Sequence, residues 1–202
     1  MIESDKERQA PKNLDETELT HLVRYKFALD FISDDDVVLD APCGSGYGTN
    51  LLTKKSKKVY GVDIFQPAID HANELFLNDY NCFFACDVLD MSMFVDYNFS
   101  VVVSFEGIEH VTDPDKFLLE IKRILTPDGM LIISTPKKPH GSPFHIVEFT
   151  LDEFKKILSK YFVIEKMYGQ IYTDIFDLEK KKVNLDDYKH FNFIAVCRNG
   201  EI

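Results

Sequence analysis

Hydrophobic positions along the chain follow two rhythms. Short apolar runs at Val37 to Asp40, Lys58 to Asp63, Asn81 to Cys86, Phe99 to Phe105 and Met130 to Ser134 have the length and composition of buried strands. Between them the spacing turns helical. From about Glu16 to Ile32, Leu19, Val23, Phe27 and Phe31 recur every four positions with Leu22 and Ala28 beside them, which predicts an amphipathic helix ahead of the first strand. Further helices are expected over Thr49 to Lys54 and over Ile64 to Phe76, the latter with Ile69, Ala72, Leu75 and Phe76 on one face. Another begins at Thr112, Asp113 and Pro114 and turns Phe117, Ile121, Ile124 and Leu125 inward. Pro127, Asp128 and Gly129 make the turn into the fifth strand. A capping box at Thr150 and Glu153 starts the last helix, carrying Phe154, Ile157 and Leu158. Phe162 to Met167 and Phe191 to Cys197 read as the last two strands, an antiparallel end to the sheet. Residues 1–15 form a polar arm, and the polar stretch Tyr168 to His190, with Lys180, Lys181 and Lys182, predicts no element. Strand alternating with helix gives an α/β class with a doubly wound, mostly parallel sheet.

Three of these strands end in an acid. Asp40 is followed by Ala41-Pro42-Cys43-Gly44-Ser45-Gly46-Tyr47-Gly48, whose glycines let a backbone turn sharply and approach a ligand. Asp63 lies 19 residues past Gly44, where a carboxylate can accept both hydroxyls of a ribose. The other reading of Asp63 is a cap for the helix that follows it. Asp87 ends the third strand, and the three acids would share the sheet edge at which open α/β folds bind ligands. The glycines fall as G-x-G-x-G, so the G-x-G-x-x-G spacing of dinucleotide oxidoreductases is absent.

The 202 residues suffice for one well-buried domain over 1–202. A formal charge of −11 disfavours a large nucleic-acid footprint and favours a small-molecule substrate. No apolar run approaches membrane-span length, and the charged amino terminus lacks a secretory apolar core, so a cytoplasmic location is expected. Cys43, Cys82, Cys86 and Cys197 form no C-x-x-C pair and read as unbridged thiols.

Val37 to Gly48 resembles motif I of the class I S-adenosylmethionine-dependent methyltransferases, with Pro42 standing where the first glycine usually sits, and the Leu125-Thr126-Pro127-Asp128-Gly129 turn fits the same pattern. The resemblance implies a Rossmann-like, seven-stranded sheet with an antiparallel end strand, a capping helix over residues 16–33 and an α/β core over 34–202. It implies S-adenosylmethionine as cofactor, held by Arg24, Asp40, Ala41, Gly44, Gly46, Asp63, Ile64, Asp87, Val88 and Phe105. Arg24 reads equally well as a solvated or ion-paired residue.

After the fourth strand comes Glu106-Gly107-Ile108-Glu109-His110, which in a helical turn would place two carboxylates and an imidazole on one face. This E-x-x-E-H run resembles the ubiquinone-pathway O-methyltransferases and the small-RNA 2′-O-methyltransferases. His145-Ile146-Val147-Glu148-Phe149-Thr150 matches the order around a further histidine ligand in the RNA enzymes. The implied metal site is Glu106, Glu109, His110 and His145 with Mg²⁺ or Mn²⁺, and the implied catalytic residues are His110, His145 and Glu109. A metal-free site with a histidine base, and a set of exposed loop acids without a catalytic role, are the other readings. The segments at residues 7–11 and 21–25, together with 41–49 and 145–154, resemble methyltransferases found among surface-polysaccharide genes. A sugar or nucleotide-linked sugar methylated on oxygen is therefore the expected acceptor, with Lys137 and Lys138 either meeting a diphosphate or merely solvated. Methylation of an RNA 3′ end and a non-catalytic cofactor-binding subunit are the alternatives.

Overall fold

The computed structural model describes residues 9–200, so the first half of the expected arm lies outside the described residues. Eight strands form one sheet in the order β3-β2-β1-β4-β5-β8-β6-β7. They are β1 Val37–Asp40, β2 Lys58–Asp63, β3 Asn81–Ala85, β4 Phe99–Phe105, β5 Leu125–Pro136, β6 Val163–Ile171, β7 Asp174–Asp177 and β8 Asn192–Arg198. Strands β1 to β5 pair in parallel, while β8 runs antiparallel between β5 and β6 and β7 runs antiparallel along the edge of β6.

Helices cover both faces: α1 Leu19–Ala28, α2 Tyr47–Leu52 and α3 Gln66–Leu75 on one, α4 Pro114–Ile124 and α5 Leu151–Leu158 on the other. Alternation along each strand divides the apolar payload between them. Val38, Val101, Val103 and Ile132 pack beneath α1 to α3, whereas Leu39, Val102, Leu131 and Ile133 pack beneath α4 and α5. The local signals for the second pair of helices are complete. Asp113 accepts the Lys116 N–H at 2.9 Å with Pro114 in the first turn, and Thr150 and Glu153 exchange capping hydrogen bonds at 3.3 and 2.8 Å.

Three expectations are corrected. The first helix is shorter than residues 16–33, ending in a 3-10 turn at Leu29–Phe31, and Leu19 is 64% exposed. Its buried face is Leu22, Tyr25 and Ala28 with Arg24, because Arg24 and Tyr25 find polar partners inside; Phe27 and Phe31 pack aside against Tyr168. The helix expected from Ile64 starts at Gln66, since Asp63 Oδ1 accepts the Phe65 N–H at 2.9 Å and holds the preceding residues as a turn, leaving Ile64 and Leu75 exposed. The sheet has an eighth strand inside the stretch that predicted no element. There β6 runs on to Ile171 and turns back through Tyr172, a non-glycine residue at φ 51° where no glycine or asparagine announced a hairpin.

Strand order reverses between β1 and β4, so the connections from their carboxyl ends leave to opposite faces and open a crevice. Asp40 lies beneath that crevice, fully buried, accepting from Thr49 Oγ1 at 2.7 Å and from the Tyr25 hydroxyl at 3.2 Å. Burial pushes its carboxyl up to about 7, against the pull of those hydrogen bonds. Its folded value lies above the unfolded value of about 3.9, so the folded state binds more protons in the interval between them. The contribution of Asp40 to stability is thus full below about pH 4 and is lost as pH rises through about 7. Urea unfolding across that range should show Asp40→Asn gaining on the parent as pH rises, and parallel pH profiles for the two would contradict the assignment.

Candidate functional site

A cavity of about 870 Å³ fills the crevice, walled by α1, the loops after β1 to β5 and the turn between β6 and β7. That is near the upper end of the roughly 300–1,000 Å³ usual for ligand sites. At one end is the glycine loop. Gly44 has φ 55° with open space where a Cβ would stand, and its N–H donates to Asp63 Oδ2 at 3.0 Å. Asp63 thereby braces the loop and turns the chain toward α3 without capping it, because the N-cap is Phe65, and its side chain also lines the cavity. Ile64, Asp87, Val88 and Phe105 complete this wall. Asp87 is exposed and accepts the Leu89 N–H at 2.9 Å.

Asp40, Ala41 and Gly46 do not line the cavity. Asp40 is engaged by Tyr25 and Thr49, and a Cβ on Gly46 would stand 2.5 Å from Ala72 and 2.8 Å from Phe83. Gly46 is therefore needed for packing the loop on α3 and β3, not for the approach of a ligand.

Arg24 is 1% exposed, and its guanidinium donates to Glu106 Oε2 at 2.6 Å and to Gln170 Oε1 at 2.9 Å. The Gln170 amide in turn donates to the carbonyls of Thr20 and Tyr172 at 2.7 and 2.6 Å, which ties α1 to the β6–β7 turn. Glu106 has φ 52° and also meets His21 Nε2 at 3.4 Å. Burial opposes its ionisation, but the charges of Arg24, His21, His140 and His110 outweigh that and hold its carboxyl below the usual range.

The expected helical face of Glu106, Glu109 and His110 does not form as a unit. The 3-10 turn spans only Ile108–His110, and the left-handed backbone of Glu106 directs its side chain to α1. Glu109 and His110 instead group with His145, all three offering ligand atoms within 4.8 Å of one another. The Glu109 carbonyl accepts the N–H groups of Ile146 and Val147 at 2.8 and 3.2 Å, which brings the 137–149 loop onto the turn.

Glu109 is 1% exposed. Its Oε2 accepts from Thr135 Oγ1 at 3.1 Å, while its buried Oε1 has no hydrogen-bond partner. Burial, then the neighbouring charge of Glu106, pushes its carboxyl well up. His110 Nδ1 lies 3.2 Å from the Phe144 carbonyl, and His145 Nδ1 lies 3.3 Å from Glu148 Oε1. Carbonyl and carboxylate can only accept, so these contacts call for a proton on Nδ1 of each histidine.

The sequence reading places His21 on the capping helix and His140 on the proline-broken loop but gives no site role to either, nor to His190 and Gln170, and all four are on the cavity wall. Five of the six histidines line it, and His140 stacks on His145 with ring centroids 4.8 Å apart. The proline-broken loop carrying His140 was a usable signal; for Gln170 and His190 there was none. Lys137 and Lys138 do not reach the cavity. Lys137 donates to the Leu185 carbonyl at 2.7 Å, and Lys138 faces Glu153 at 3.4 Å.

Residues 39–133 match the methyltransferase domain family. A probable S-adenosylmethionine-dependent methyltransferase of Mycobacterium tuberculosis is 31% identical over 133 residues, covering 60% of this chain and 46% of that protein. A ubiquinone biosynthesis O-methyltransferase of Coxiella burnetii is 30% identical over 99 residues, covering 48% and 42% respectively. The chain thus spans about half the length of the curated relatives it matches. Among solved structures, the putative methyltransferase in complex with the Haloferax volcanii Trm112 activator superposes with a TM-score of 0.75 at 20% identity, covering 90% of this chain and 91% of that one. The N-methyltransferase NodS of Bradyrhizobium japonicum, solved with S-adenosyl-L-homocysteine, gives 0.70 at 16% identity, covering 93% and 91%.

The glycine loop, Asp63 and the Asp87-Val88 wall fit that cofactor. Calorimetry with S-adenosylmethionine should show Asp63→Ala weakening binding at least about tenfold, the roughly 1.4 kcal/mol of a charge-assisted contact. Undiminished affinity in that variant would contradict the placement. Residues 39–133 thus carry a methyltransferase domain, and in sequence and fold the chain is similar to the class I S-adenosylmethionine-dependent methyltransferases.

Proposed function

We propose that the chain methylates a hydroxyl oxygen of a small, uncharged acceptor, a sugar in the first instance. The observation behind this reading is the grouping of Glu109, His110 and His145 in the same cavity as Gly44, Asp63 and Asp87. S-adenosylmethionine, when bound, supplies a sulfonium methyl to the attacking oxygen and departs as S-adenosylhomocysteine. The hydroxyl proton then needs an acceptor. Without a metal, His110 Nε2 would take it, with Nδ1 facing the Phe144 carbonyl.

The divalent ion expected from the sequence fits the same group as the alternative to a histidine base, because an Nε2 lone pair that holds an ion cannot also take the proton. Glu109 Oε1 is a buried oxygen without a partner among the described residues, and neutral His110 and His145 with the proton on Nδ1 would each offer Nε2. One carboxylate with two imidazoles suits Mn²⁺, accepts Mg²⁺ with waters, and would take Zn²⁺ or Co²⁺ by affinity. Glu106 is not part of this set, because Arg24 and His21 hold its carboxylate. Such an ion would lower the pKa of a coordinated hydroxyl and orient it.

The nucleotide-linked form of the acceptor loses its support. Among the described residues lining the cavity, the one permanent cation is Arg24, and Glu106 already neutralises it. Net charge likewise speaks against RNA. A hydroquinone or catechol is the second reading, favoured by the Coxiella relative.

Labelled-methyl transfer to free sugars, nucleotide sugars, catechols and RNA ends tests the acceptor. Transfer to a free sugar is expected, and preference for a nucleotide sugar or RNA would contradict the reading. Chelator should abolish turnover while leaving cofactor binding intact, with Mn²⁺ or Mg²⁺ restoring it; full turnover in chelator removes the ion. His110→Ala should lower kcat about 10²–10⁴-fold, and a variant as fast as the parent would remove His110 from the chemistry.

A further inference from the structure

Glu148 does not line the cavity, yet it makes more contacts with the site's loop than any function so far described requires. Its Oε1 accepts the Gly141 N–H at 2.9 Å and faces His145 Nδ1 at 3.3 Å, while its Oε2 accepts the His140 N–H at 3.0 Å. Gly141 has φ 80°, so the loop reverses there in a conformation closed to most side chains, and the carboxylate holds both N–H groups that the reversal turns inward. One side chain thus fixes the shape of the loop and the orientation of the histidine at its other end.

We infer that Glu148 is a positioning residue that sets the tautomer and ring orientation of His145, and thereby aims His145 Nε2 at Glu109 and His110. The carboxylate accepts only, so the proton of a neutral His145 is held on Nδ1 and the lone pair on Nε2. The ring is hemmed on its other sides. Its side chain is 4% exposed, His140 stacks on it at 4.8 Å, and His110 meets it edge-on at 5.1 Å with an interplanar angle of 81°. Rotating the ring to present Nδ1 to Glu109 would break the contact with Glu148 and disturb both neighbours. Carboxylates that hold the far nitrogen of an imidazole in this way raise its basicity and fix its direction, whether the near nitrogen meets an ion or a proton. The inference rests on the reading of the His145 site given above, but not on the acceptor.

Three variants and one spectrum test it. In the parent protein, ¹⁵N spectra of the His145 ring should show a protonated, pyrrole-type Nδ1 and a pyridine-type Nε2; the reverse pattern would overturn the proposal at once. Glu148→Met keeps the length of the side chain and removes every acceptor, so His145 should lose the Nδ1–H form and kcat should fall about 10- to 100-fold, with cofactor affinity unchanged. Glu148→Gln can still place its carbonyl oxygen where Oε1 stands, and should recover the parent tautomer and most of the turnover. Adding Glu148→Met to His145→Ala should cost less than Glu148→Met costs on its own, because the part of the effect that passes through His145 is already gone. An unchanged tautomer in Glu148→Met, equal damage in Glu148→Met and Glu148→Gln, or losses that simply multiply in the double variant would each show that Glu148 only staples the loop. The spectrum requires neither acceptor nor ion, so its outcome stands apart from whether the methyl acceptor has been named correctly.

Discussion

The buried pair of Arg24 and Glu106 is the contact on which the geometry of the cavity depends. It joins α1 to the carboxyl end of β4, and through Gln170 it reaches the β6–β7 turn, so three separate walls meet on one guanidinium. Removing one partner of a buried pair strands the other and costs about 3–5 kcal/mol, although water reaching Glu106 reduces that figure here. A left-handed backbone at a residue with a side chain adds about 1–2 kcal/mol of strain at Glu106. The fold tolerates this because the same backbone turn delivers the carboxylate to Arg24. The sequence reading took Glu106 for a metal ligand; the structure makes it a structural anion.

That exchange leaves a cavity with two unlike ends. At the glycine loop, Asp63 presents a carboxylate whose oxygens are already braced by backbone N–H groups, a rigid acceptor for a ligand's hydroxyls. At the other end, Glu109 is pushed by burial toward its neutral form and stands with His110 and His145, groups that can exchange a proton or hold an ion. On the function proposed above, the cofactor is gripped at the first end and the proton leaves at the second. The four histidines His110, His140, His145 and His190 gather at this second end.

How much of this the chain declares in advance depends on how local each signal is. The strands β1 to β5, the capping box of α5 and the loop at Gly44 follow from neighbouring residues, and the structure places them within a few positions of the sequence reading. The burial of Tyr25 in place of Leu19, the turn at Tyr172 and the partnership of Arg24 with Glu106 and Gln170 join residues far apart in the chain, and periodicity carries no trace of them. The same holds for Asp40. Its place after a buried strand and before a glycine loop suggests ligand contact, but only the position of Tyr25 and Thr49 shows that its oxygens are already taken.

The central claim, a cofactor gripped at Asp63 and chemistry performed at Glu109, His110 and His145, is tested most directly by a crystal structure with S-adenosylhomocysteine and Mn²⁺. The account expects the ribose hydroxyls on Asp63 and an anomalous manganese peak about 2.0–2.3 Å from Glu109 Oε1 and from Nε2 of His110 and His145, with Glu106 still on Arg24. Manganese bound by Glu106, or a cofactor seated away from Asp63, would contradict it.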